Sequence, residues 1–164
     1  MSDSIQIQNP FSALEGYNCF GCSPNNTLGL RMHFRIEGEA VLCDWEPEQQ
    51  LQGWVNILHG GIQATLMDEI ASWLVLVKLR TAGVTSKMEV KLIKPIRTDK
   101  GTLRLKAILK EMQRNIAIIH VELFNTDGTL GAESLMHYFT YPEHIAREKL
   151  YYPGIEHFIP TEKS

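Results

Sequence analysis

Between Gly60 and about Arg80 the chain reads as one long helix with apolar residues on nearly every face. Ile62, Ala64, Leu66, Met67, Ile70 and Ala71 are followed by Trp73, Leu74, Val75, Leu76, Val77 and Leu79, so no polar stripe is left for water. A helix apolar all round has to be buried on most sides. It is not a membrane span. The longest apolar stretch, near residues 70–77, is too short, and Asp68 and Glu69 precede it. With 164 residues the chain is one domain in size, so the cover for this helix has to come from the same fold.

The cover reads as β structure. Arg31–Glu37 alternates polar and apolar, Gly38 offers a turn, and Glu39–Glu46 runs to Pro47, which together predict a hairpin. Residues 47–58 connect to the helix, and Ala82-Gly83 is expected to end it. Thr85–Lys94 alternates cleanly through Leu92, with Pro95 near its end. Thr102–Glu111, Ile116–Asn125 and Thr129–Thr140 follow, separated by turn formers at Arg114-Asn115 and Asn125-Thr126-Asp127-Gly128. Glu143–Leu150 predicts a short helix. The order β-β-α-β-β-β-β predicts an α+β class, with an antiparallel sheet curled around one central helix. We expect a single domain over 1–164, opened by an ordered loop and short helix over 1–29 and closed by a tail over 141–164.

Composition narrows the function. A net charge of −3 gives no basic surface for nucleic acid. No phosphate-binding or dinucleotide glycine motif is present, and the histidines lack metal-site spacing. The polar start Met1–Gln6 has the character of no targeting signal, so a cytoplasmic chain is expected, with no membrane partner. Cys19, Cys22 and Cys43 are too few and odd in number for a disulfide framework. Cys19-x-x-Cys22 reads as reduced structural thiols in a loop dense in turn formers. A metal site and a redox pair remain as alternatives, and the absence of a second cysteine pair leads us to expect no metal.

The chemistry concentrates in Leu58-His59-Gly60-Gly61-Ile62-Gln63-Ala64-Thr65-Leu66-Met67-Asp68-Glu69. Glycine costs about 1 kcal/mol in a helix relative to alanine, so two in the first turn imply a close approach to the backbone. The first amides of a helix lack partners and sit at the positive end of its dipole, where they can hold a carbonyl and its developing oxyanion. Alternatively, the pair only makes a tight junction. Asp68 lies within a helix that should be buried, where an unpaired carboxylate is costly. It is either a nucleophile or general base, or a hydrogen-bonded structural group. Glu69, about 100° further round, points elsewhere. Gly60 and Asp68 are roughly 12 Å apart by helical rise. They cannot reach one carbonyl carbon from the same helix, so joint action requires a second chain.

His59-Gly60-Gly61 with Asp68 nine positions after the histidine resembles the signature of the hotdog thioesterases, in particular their PaaI-like branch. Cys19-Phe20-Gly21-Cys22-Ser23-Pro24-Asn25-Asn26 with Gly29-Leu30, and Gln52-Gly53-Trp54, are similar to one PaaI-like subgroup. The resemblance spans about residues 17–140 and implies a hotdog fold and hydrolysis of an acyl-CoA thioester by a homodimer or a dimer of dimers. It implies no cofactor, coenzyme A being part of the substrate. Gly60 matches the glycine whose amide polarises the thioester carbonyl, with Gly61 completing the turn. Asp68 matches the acidic nucleophile or base supplied across the dimer, and His59 the histidine beside the thioester. Thr85 falls where some members hold the catalytic water, and Ser86 is one residue away. Some relatives carry an amide six residues before the histidine, where this chain has Gly53. Gln52 or Asn56 could substitute, and Asn56 could instead cap the helix. Two other readings stand beside this one: a hotdog dehydratase, and a hotdog dimer that binds acyl-CoA without turning it over.

Overall fold

The apolar segment forms helix α1 (Gly60–Lys78). The structure is a computed structural model that describes residues 3–160. Residues 1–2 and 161–164, the ends of the expected domain, lie outside the described residues. Around α1, among the described residues, run seven strands: β1 (Ser4–Gln6), β2 (Arg35–Glu37), β3 (Ala40–Trp45), β4 (Gly83–Leu92), β5 (Leu103–Gln113), β6 (Ile116–Phe124) and β7 (Leu130–Thr140). They form one antiparallel sheet in the order β1-β2-β3-β5-β6-β7-β4. Helix α2 (Glu143–Leu150) follows it.

The sheet curls because α1 needs cover on many sides. The helix packs against β3, β4, β5, β6 and β7. Leu66, Met67, Ile70, Ala71 and Leu74 are fully buried, and Trp73 through Val77 are buried without interruption. Each large side chain among them contributes about 1.5–3 kcal/mol relative to exposure. The inner faces of the strands meet them with Leu103, Leu105, Ala107, Ile119, Val121, Leu123 and Met136, all at 0% exposure.

The expected elements form, with differences at their edges. The hairpin turns at Gly38, but its first strand is paired only from Arg35. Arg31 takes a left-handed φ of 50°, and the Leu30 and Met32 amides donate instead to Phe20 and Gly21. The alternation still sets burial, since Leu30, Met32, Phe34 and Ile36 all point inward. The helix stops at Lys78, before the expected Ala82-Gly83, because Arg80 turns left-handed at φ 55°. Gly83 belongs to β4, where an added Cβ would lie 2.4 Å from the Phe139 carbonyl oxygen. The sequence reading missed β1, three residues that pair with β2.

Two features position the site. Strand β4 is the last in the sheet, bonded to β7 on one side and to no described strand on the other. A β-bulge interrupts its ladder, for Thr85 faces Tyr138 while Lys87 faces His137, leaving Ser86 as the extra residue. Beyond it Met88, Val90 and Leu92 lie opposite the inward Met136, Ser134 and Ala132. Thr85, opposite the inward Tyr138, therefore shares their helix-facing side.

Candidate active site

Asp68 projects from the middle of α1 toward the start of β4. The Thr85 hydroxyl donates to its Oδ1 at 2.8 Å. The Tyr138 hydroxyl lies 2.5 Å from the same oxygen and 2.8 Å from the Asp68 main-chain oxygen. Tyr138 is buried, and burial followed by the Asp68 charge holds its phenol well above the ordinary tyrosine range. It is a fixed donor at working pH. Hydrogen bonds to a charged acceptor contribute about 1.5–3 kcal/mol each, so the carboxylate is held in one rotamer. Its Oδ2 accepts no bond from the described residues.

The bulge decides which hydroxyl reaches the acid. Bulges re-aim side chains near functional sites, and here the extra residue turns Thr85 inward. Ser86 donates at 3.0 Å to the His137 carbonyl oxygen and so belongs to the sheet.

The other pole of the site is the start of α1. His59 is the N-cap, and its Nδ1 accepts from the Gly61 amide at 2.9 Å. That bond fixes the imidazole with any neutral-state proton on Nε2. The Gly61 amide is thus committed to the cap, while the Gly60 amide meets no acceptor among the described residues. A Cβ on Gly60 would sit 3.0 Å from Leu92 Cδ1. The Gly60 backbone therefore touches the far end of β4, whereas Asp68 touches its beginning.

A cleft of about 550 Å³ lies at this pole, lined among others by Trp54, His59, Gly60, Gln63, Leu92 and Lys94. Gln63 is 4% exposed; its Nε2 donates to the Leu58 carbonyl oxygen at 3.0 Å, and its Oε1 has no partner among the described residues. Asn56 is not the helix cap. Its φ is 61°, its amide donates to Gln52 Oε1 at 2.8 Å, and its carbonyl accepts from the Thr98 amide. Asn56 therefore shapes the loop before His59, since asparagine tolerates the left-handed region.

Within one chain, then, Asp68, Thr85 and Tyr138 form one cluster and His59, Gly60 and Gly61 another, about 12 Å apart by the rise of the helix. Sequence reasoning missed Tyr138 and Gln63. Gln63 could have been found as the polar residue that follows Ile62 in an otherwise apolar turn. Tyr138 gives no such signal, because an inward tyrosine on an alternating strand looks like core.

Comparisons with known proteins agree on one family. A family model described as the thioesterase superfamily matches residues 55–132. The chain is 31% identical to acyl-coenzyme A thioesterase 13 of Mus musculus over 97 residues, which span 58% of this chain and 69% of that protein. The Homo sapiens protein of the same name is 29% identical over 86 residues, 52% of this chain and 61% of that one. Among solved structures, thioesterase superfamily member 2 from Mus musculus is 26% identical with a TM-score of 0.55, over 61% of this chain and 74% of that one. A hypothetical thioesterase protein with coenzyme A from Streptococcus pneumoniae shares the fold, with a TM-score of 0.59 at 22% identity over 64% of this chain and 83% of that one.

Proposed function

The chain belongs to the thioesterase superfamily and has its hotdog fold, and from that premise we propose that it hydrolyses an acyl-CoA thioester in a homodimer whose sites are shared between copies. Each site takes Asp68 and Thr85 from one copy and His59 with the Gly60 amide from the other. The thioester carbonyl rests on the Gly60 N–H, which strengthens its hold as the oxygen becomes an oxyanion. Water then adds the elements of hydroxide to carbon and a proton to sulfur, giving a free acid and the CoA thiol. Two routes start from Asp68 Oδ2: it takes a proton from the attacking water, or it attacks carbon itself and the resulting anhydride is hydrolysed. Incorporation of oxygen-18 from solvent into Asp68 during a single turnover reports the second. Acyl-CoA as substrate is supported by the named activity of the curated relatives and by the coenzyme A in the Streptococcus pneumoniae structure.

The observation that carries the shared site is the position of the two clusters along β4. Thr85, beside Asp68, stands near one end of this strand, and Leu92, beside Gly60, at the other. The strand is an edge with Val84, Met88, Val90 and Leu92 exposed, a surface proteins do not ordinarily leave open. Antiparallel pairing of two β4 edges about a twofold axis would set the Thr85 end of each against the Leu92 end of the other. That removes the separation within one chain and covers the apolar edge in a single step.

Mixing two inactive variants tests this. Gly60→Pro removes the amide donor at the first helical position, where proline is tolerated. Asp68→Asn removes the acid. A heterodimer of the two contains one intact site, so refolding them together should restore up to about half of wild-type turnover per heterodimer, because one of its two symmetric sites is whole. No recovery from verified heterodimers would rule out the shared site.

A further inference from the structure

Glu69 follows Asp68 on α1 but faces the N-terminal loop, and there it meets the two cysteines of Cys19-Phe20-Gly21-Cys22. The Cys19 Sγ lies 3.5 Å from Glu69 Oε1. A ligand atom from each of Cys19, Cys22 and Glu69 falls within 4.8 Å of the others. We propose that these three side chains bind a thiophilic divalent cation of the zinc class, which ties the loop around residues 19–22 to the central helix.

The geometry is that of a ligand set. Zinc takes thiolate at about 2.3 Å and carboxylate oxygen at about 2.0–2.2 Å, so a tetrahedral sulfur-to-oxygen edge is about 3.6 Å. The Cys19–Glu69 separation of 3.5 Å is close to that value. The orientation of the carboxylate is fixed from behind, since Trp73 Nε1 donates to Glu69 Oε1 at 3.2 Å. Outer contacts of this kind hold metal ligands in place. Tyr17 does the same for the second thiol, its hydroxyl 2.8 Å from Cys22 Sγ.

The site also lacks what a carboxylate in such a place ordinarily has. Cys22 is 5% exposed and Glu69 half-buried, yet among the described residues no Lys, Arg or His forms an ion pair with Glu69. A carboxyl withdrawn from water is paired with a cation, coordinates one or is held protonated, and here its hydrogen-bond partners are only the Cys19 thiol and the Trp73 indole among the described residues. The loop is built to come this close. A Cβ on Gly21, between the cysteines, would lie 2.4 Å from Glu69 Cδ, so glycine lets the chain close over the carboxylate without displacing it. A cavity of about 270 Å³ bordered by Tyr17, Cys19, Cys22, Glu69, Trp73 and Tyr151 leaves room for a water as fourth ligand. The sequence conceals the set because its third member is 50 positions from Cys19 and belongs to a helix.

The test uses the full chain, reduced, loaded with zinc and freed of excess by gel filtration. Elemental analysis should find one zinc per chain, and a chelator that removes it should lower Tm. Cobalt in place of zinc should give a thiolate-to-metal charge-transfer band and tetrahedral ligand-field bands. Glu69→Gln, which keeps the side chain's shape, and Cys22→Ser should each weaken binding at least as much as loss of an outer contact, about 10–100-fold, while circular dichroism confirms that they fold. Three results would overturn the proposal. The first is no retained zinc while the Cys19 and Cys22 thiols titrate as free. The second is equal retention by a Cys19→Ser/Cys22→Ser variant. The third is a Cys19–Cys22 disulfide that forms in preference to zinc uptake.

Discussion

The Thr85 hydroxyl donates a 2.8 Å hydrogen bond to Oδ1 of Asp68 across the start of strand β4, and the buried Tyr138 hydroxyl meets the same oxygen from β7. One oxygen of the acid is spent on its own support, and the other has no partner among the described residues. That division is the basis of the predictions about activity.

Asp68→Asn keeps the size of the side chain and removes its basicity. Hydrolysis of an acyl-CoA, followed by release of the CoA thiol, should fall in kcat by on the order of 100-fold or more, within the range for loss of a general base. The oligomeric state by sedimentation should be unchanged. Near-wild-type kcat in this variant would remove Asp68 from the mechanism.

Tyr138→Phe leaves the acid in place but frees its rotamer. Loss of a bond to a charged acceptor, about 1.5–3 kcal/mol, corresponds to a decrease of roughly 10–150-fold. We expect it in kcat, with KM little changed, because the phenol acts through Asp68. A change in KM alone would mean that Tyr138 contacts substrate instead.

Met88→Asp places a charge on the exposed edge strand. If two β4 edges meet, the variant should sediment as a monomer and lose turnover together with the dimer. A monomer that retains full activity would contradict the shared site.

Cys43 is fully buried and burial pushes its thiol up to about 12. Its thiolate is scarce at neutral pH, and the thiolate is the reactive form. Alkylation of the native protein followed by mass spectrometry should leave Cys43 unlabelled until denaturant is added.

Asp44 bonds Arg104 through both carboxylate oxygens and also meets Arg35. The Arg104 hydrogen bonds hold its carboxyl below the usual 3.8. The folded state thus binds this proton less readily than the unfolded one, so the contribution to stability is complete above 3.8 and is lost as pH falls through the lower folded value. Asp44→Asn should flatten the acid limb of Tm against pH and leave its slope near neutrality unchanged.

Much of this was legible in the sequence. The unbroken apolar faces of α1 called for a sheet around it, and the alternation of β5, β6 and β7 supplied one. The failures have local causes. Arg31 and Arg80 take left-handed turns that no glycine or asparagine announces. For the site, strict alternation in Thr85–Leu92 would put Thr85 on the side of Lys87, Glu89 and Lys91, and Ser86 with Met88. The bulge at Ser86 reverses that assignment, and nothing in the residue types of Thr85-Ser86-Lys87 reveals an extra position. The partner of Glu69 was hidden for a different reason, because a three-dimensional crossing of loop and helix leaves no spacing to read.

Gly21 and Glu69 also constrain each other's history. An added methyl at residue 21 collides with a long side chain at residue 69 but fits over a short one. The cost of change therefore depends on its order. Gly21→Ala made after Glu69→Ala should cost less than the same substitution made first, a non-additivity expected of side chains in contact. A loop and a helix far apart in the chain are thereby coupled through a single contact.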